Sequence, residues 1–145
     1  MCRRQHLWVF IASLFLLVLA SCQLIAPYDQ VTDEQVTTLQ QQTEQFFVNL
    51  EKTLGTPEAS YDHWQTTYDQ FRIEIHMLNM RVQAVPNNDL TIKEVAILQT
   101  QFDDLATLHQ KGITPFDMPL IEDSFNRVYN ALIKLELAKR NMRMY

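Results

Sequence analysis

Glycine is almost missing from this chain: among 145 residues only Gly55 and Gly112 occur. That scarcity excludes a glycine-rich phosphate loop and argues against a sheet of many strands joined by tight turns. Cysteine is equally scarce. Cys2 and Cys22 are the two present, both near the start, so the remaining chain has no thiol with which to close a disulfide and must rely on its core. Cationic side chains are outnumbered, 12 Lys and Arg against 17 Asp and Glu, for a net charge of −5. The sign is wrong for steering toward nucleic acid or anionic lipid.

Several chemical signatures are also lacking. There is no Cys-x-x-Cys-His for covalent haem, no Glu-x-x-His of the carboxylate-bridged di-iron bundles, no Gly-x-Ser-x-Gly elbow and no zinc spacing. The expectation is therefore a protein that is not an enzyme and holds no metal or cofactor. His63, His76 and His109 lie on different segments. His109 falls on an apolar seam near a helix C-terminus, where a histidine more often meets backbone carbonyls and the helix dipole than a metal. The adjacent acids Asp103 and Asp104 point apart on a helix and suit a solvated face. Tyr61, Trp64, Tyr68 and Phe71 could stack on sugars or bases, but their spacing is that of core.

What the chain does have is a leader. "MCRRQH" carries Arg3 and Arg4, and "LWVFIASLFLLVLAS" follows with no charge, the order of a secretory signal. The run ends in "LASC", with Leu19 three residues before Cys22 and small Ala20 and Ser21 between. This resembles the lipobox of bacterial lipoproteins, a resemblance confined to the first 22 or so residues. It implies diacylglyceryl transfer to the Cys22 thiol and cleavage between Ser21 and Cys22, so that residues 1–21 are a signal peptide and Cys22 the lipid-bearing first residue. Two or three acyl chains, at about 0.8 kcal/mol per buried methylene, make such an anchor effectively permanent. An uncleaved transmembrane helix over the twenty residues "LWVFIASLFLLVLASCQLIA" is the rival reading. In either case Arg3 and Arg4 hold the N-terminus on the cytoplasmic side and put the rest outside it. Gln23 follows the cysteine where an inner-membrane retention signal would usually show aspartate, which favours the outer membrane in a Gram-negative host.

Loss of the leader leaves 124 residues with a net charge of −7, since both leader arginines go and no acid does. Residues 22–31 read as the lipidated cysteine and a short tether, and 32–145 as one domain. Four apolar seams with spacings of three and four follow. The first opens "TDEQ", a capping box of Thr32 and Gln35, and runs Val36, Leu39, Thr43, Phe46, Leu50 and Leu54. The second opens "TPEA", with Thr56 as cap and Pro57 at the first helical position, and runs from Tyr61 through Trp64, Tyr68, Phe71, Ile75, Leu78 and Val82 to Val85. The third opens "TIKE", a capping box of Thr91 and Glu94, and runs Val95, Leu98, Phe102, Leu105 and His109 to Gly112. The fourth carries Ile121, Phe125, Val128, Leu132 and Leu135 and ends in "KRNMR", cations suited to a helix C-terminus. Few, long helices with short connections predict an all-α, antiparallel up-down four-helix bundle.

One stripe does not fit the seams. Ile73, Met77, Met80 and Ala84 lie about 160° to 240° around the second helix from Phe71 and its seam, where a simple bundle faces water. Either the "LIAPY" segment or a loop covers this stripe, or it docks a partner or a second copy through flexible methionines. The functional expectation is a lipid-anchored protein of the bacterial envelope whose bundle is an adaptor or structural module, bound to the membrane through Cys22 and to another envelope protein or itself. An inhibitor or immunity-type lipoprotein is the alternative, and a ligand-binding or catalytic bundle the third reading.

Overall fold

The computed structural model describes residues 26–142, and these fold as an all-α four-helix bundle. Helix α1 spans Gln30–Thr53, α2 Tyr61–Ala84, α3 Asp89–Lys111 and α4 Met118–Met142, with a 3-10 turn at Pro57–Ala59 before α2. Each helix packs on two neighbours, α1 on α2, α2 on α3, α3 on α4 and α4 back on α1, while the diagonal pairs stay apart. Short connections between consecutive helices produce this up-down square. The α2–α3 pair packs most closely and the α1–α2 pair most loosely. The leader and Cys22 lie outside the described residues. No helix among those described is long and apolar enough to cross a membrane.

The seams read from the sequence are the core. Val36, Leu50, Val82, Val95, Leu98 and Leu132 are fully enclosed, and Phe46, Phe47, Phe71, Phe102 and Phe125 nearly so. At the ends of the second seam Tyr61, Trp64 and Val85 are only half-buried. Gly55 and Gly112 sit at positive φ, 84° and 106°, just where α1 and α3 end. This is the left-handed stop that glycine makes cheaply.

The helix starts correct the expected caps. The cap of α1 is Asp29 rather than Thr32: its carboxylate accepts from the Thr32 N–H at 3.2 Å and the Thr32 hydroxyl at 2.7 Å. An aspartate three residues upstream satisfies the same orphan amides, so the helix begins at Gln30, inside the stretch read as tether, and Thr32 turns inward and is buried. Pro57 does not open α2 but a separate 3-10 turn, because the Thr56 hydroxyl donates to the Thr53 carbonyl and does not cap. Thr91 is likewise no cap. Helix α3 starts at Asp89, and Thr91, fully enclosed, accepts from Lys139 of α4.

Candidate partner-binding face

Polar clusters lie at both ends of the bundle interior, and His109 of one of them also lines a surface depression of about 530 Å³. Where α2 ends, α3 begins and α4 ends, Lys139 Nζ donates to Asn88 Oδ1 at 2.7 Å, Thr91 Oγ1 at 2.7 Å and Glu136 Oε1 at 2.6 Å, so its three hydrogens have three acceptors. All four residues are buried, and Glu136 Oε2 has no protein partner. The fourth seam was expected to continue through Leu135 and end in cations suited to the helix C-terminus; in the fold Glu136 and Lys139 follow Leu132 by four and seven residues and are buried on the core side of the helix.

At the opposite end His109 is buried between Tyr68, 2.9 Å from Nδ1, and the Ala59 carbonyl, 2.6 Å from Nε2. A carbonyl can only accept, so Nε2 donates to Ala59, and in the tautomer with that single ring proton Nδ1 accepts from the Tyr68 hydroxyl. Burial, with the neighbouring Tyr61 phenol second, pushes the Tyr68 phenol far above its ordinary value and keeps it an O–H donor. His109 thus meets a carbonyl, as a histidine near a helix end is expected to. That carbonyl belongs to the 3-10 turn, however, and not to the end of its own helix. His63 and His76 are exposed on α2. Asp103 and Asp104 are exposed as expected. Of the aromatic run, Tyr68 and Phe71 are core, and Trp64, half-buried, donates its indole N–H to the Glu58 carbonyl at 3.0 Å. Among the described residues no three His, Cys, Asp or Glu side chains gather as metal ligands.

The unexplained stripe is on the surface. Ile73, Met77 and Met80 are 61%, 55% and 62% exposed, and Ala84 beside them is exposed too. The described part of the "LIAPY" segment goes elsewhere: Ala26 is buried and the Tyr28 hydroxyl donates to Asp33 at 2.8 Å, close to Arg140 of α4. Asp29 then clamps Arg81 of α2 through two bonds of 2.6 and 2.7 Å. Arg81 and Thr32 together hold the Asp29 carboxyl well below the usual carboxylate range.

Met77 joins this stripe to a groove between the loosely packed α1 and α2. One depression, of about 240 Å³, is bordered by Val31, Glu34, Gln35, Leu39, Glu74 and Met77. It shares Thr38 and Gln42 with a second of about 380 Å³, floored by Phe46 and Phe71 and edged by Gln41, Gln45, Asn49, Trp64, Thr67 and Gln70. Neither is lined by a lysine or an arginine. The sequence reading missed this groove, because a row of glutamines along one side of an amphipathic helix reads as ordinary solvated surface. It also missed Phe116, 94% exposed in the α3–α4 connection, and Leu120, 71% exposed in the first turn of α4.

Comparison with known proteins found nothing similar: no family model, no curated protein and no solved structure matches the chain.

Proposed function

We propose that this protein is a lipid-anchored component of the bacterial cell envelope, attached through Cys22, whose helical bundle acts as an adaptor for another envelope protein. The observation that carries the reading is "LASC" at the end of a charge-free run behind Arg3 and Arg4. Helix α1 starts at Gln30. Only Gln23 to Asp29 then separate lipid from bundle, and at 3.3 to 3.6 Å per residue the span is at most about 25 Å. A bundle held that close presents its sides, rather than its anchored end, to neighbours in the same membrane. The exposed Ile73, Met77 and Met80 supply an apolar side of this kind. Gln23 after the cysteine favours the outer membrane in a Gram-negative host.

The test is Cys22→Ala in cells fed radiolabelled palmitate. Wild type is expected to take up label and partition with membranes, and the variant to take up none and either keep its leader or leave the lipid fraction. Equal labelling of both would end the lipoprotein reading.

A further inference from the structure

We infer that the groove between α1 and α2 is a docking site for a cationic amphipathic helix of the partner protein. The inference rests on the adaptor reading above and adds the chemistry of what is bound.

The first support is an imbalance of donors and acceptors. Glu74 Oε1 takes the amide hydrogens of Gln42 at 3.2 Å and Gln70 at 3.1 Å. A carboxylate can only accept, so it fixes the Gln42 amide nitrogen toward itself and turns Oε1 away. Gln42 Oε1 is buried without a protein hydrogen-bond partner, and so is Gln35 Oε1, two turns earlier on the same face of α1. Gln35 and Gln42 border one depression together with Glu34 and Glu74, the two amide carbonyl oxygens turned in beneath its surface. A buried acceptor left unmade costs about 1–3 kcal/mol, so a ligand whose N–H donors meet these amides as they turn outward gains there what an aliphatic one cannot.

The second support is charge. The groove has carboxylates and no lysine or arginine along its lining, and the chain after residue 21 carries −7. Lysine or arginine side chains answer both the charge and the missing donors. The third is shape and apolar area. From Val31 to Asn49 the groove follows α1 for eighteen residues, about 27 Å at 1.5 Å per residue, which is the length of a five-turn helix. Met77 forms its lip, and Ile73 and Met80 extend that lip outward as an exposed apolar rail. A helix seated there would set apolar residues on the rail and cationic ones over Gln35, Gln42 and Glu74, the helix-in-groove mode of recognition.

The test uses the full chain in phosphatidylcholine nanodiscs, with benzoylphenylalanine replacing Gln41 at the groove or Lys93 on α3 as the control position. The probes are dye-labelled eighteen-residue peptides with leucine at helical spacing: one with lysine at the polar positions, one with glutamate, and one with the lysine composition scrambled out of period. The periodic lysine peptide is expected to crosslink from position 41 and not from 93, and to bind roughly tenfold or more tightly than the other two. Glu74→Lys should remove binding. Thr38→Arg, at an exposed position, should do so without disturbing the core. Equal binding of the scrambled peptide, equal crosslinking from position 93, displacement by a chito-oligosaccharide, or crosslinking of position 41 to a second copy would each overturn the inference. The palmitate test is independent, so lipidation without peptide binding would remove the groove assignment and leave the anchor.

Discussion

In the half of the bundle where α1 and α3 end, the core is made of rings; in the half where they begin, it is made of branched aliphatics and one buried ion pair. Phe46 stands at the centre of the ring half, with Trp64, Tyr68 and Phe71 edge-on at centroid distances of 5.3, 5.4 and 5.7 Å. Phe102 continues the packing to Phe71 at 4.6 Å and Phe125 at 4.8 Å. The other half offers Val36, Leu39, Leu78, Val82, Val95 and Leu132, then Glu136 and Lys139. The contrast separates two ways of making a small core specific. Rings have preferred edge-to-face geometries that fix how helices meet, whereas aliphatic layers tolerate sliding. The aliphatic half has instead a lysine whose hydrogens find all three acceptors only when the α2–α3 turn and α4 are in one register. A buried polar set used this way specifies arrangement more than it adds stability.

The largest effect expected from breaking this comparison is in the ring half. Phe71→Ala removes a ring 3% exposed that touches both Phe46 and Phe102, and should cost about 3–5 kcal/mol through lost burial and the cavity left behind. Urea denaturation measures it, and a loss below about 1 kcal/mol would mean the ring is not packed as described.

In the aliphatic half the same order of loss, about 3–5 kcal/mol, should follow Lys139→Met, but for a different reason: the carboxylate of Glu136 is left buried without its counter-charge. The double variant Glu136→Leu with Lys139→Met separates the mechanisms. It should recover most of the stability, because two well-packed apolar side chains replace a pair whose desolvation offset its attraction. No double variant can restore Phe71→Ala in this manner. If the double variant is as unstable as the single, the pair is a net stabiliser and the two halves differ less than their composition implies.

The ring half was legible in the sequence and the ion pair was not, and the difference is physical. Rings at spacings of three and four announce one helix face by their own hydrophobicity. Glu136 and Lys139 keep that spacing after Leu132, yet charged side chains near a C-terminus also satisfy the helix dipole in solvent, so the pattern has two readings. Thr91 and Asn88 are at the same level on the facing elements, and their polarity was the available signal. The capping-box pattern of Thr91 and Glu94 masks that signal. The stripe of Ile73, Met77 and Met80 was legible because apolar residues opposite a complete seam have no place in a simple bundle. The groove beside it was hidden, since a looser α1–α2 spacing comes from packing and leaves no mark in the glutamines that border it.

The smallest effect belongs to the clamp that fastens the start of α1 to the end of α2 at the aliphatic end. Asp29→Asn keeps a good helix cap, as asparagine and aspartate serve about equally there, and removes only the charge that faces Arg81. Arg81 first, then Thr32, holds the Asp29 carboxyl below its ordinary range. A group with a depressed folded-state value adds stability that is complete above its unfolded value, about pH 4 for aspartate, and is lost as pH falls further. Wild type should therefore exceed Asp29→Asn by a small, constant margin from pH 7 down to about pH 4, and the margin should narrow below that as the carboxylate takes its proton. Chemical denaturation at pH 7, 4 and 2.5 follows it. A margin that does not narrow in acid would assign the loss to the cap and not to the ion pair. The aliphatic end would then owe its register to Lys139 and Glu136 alone.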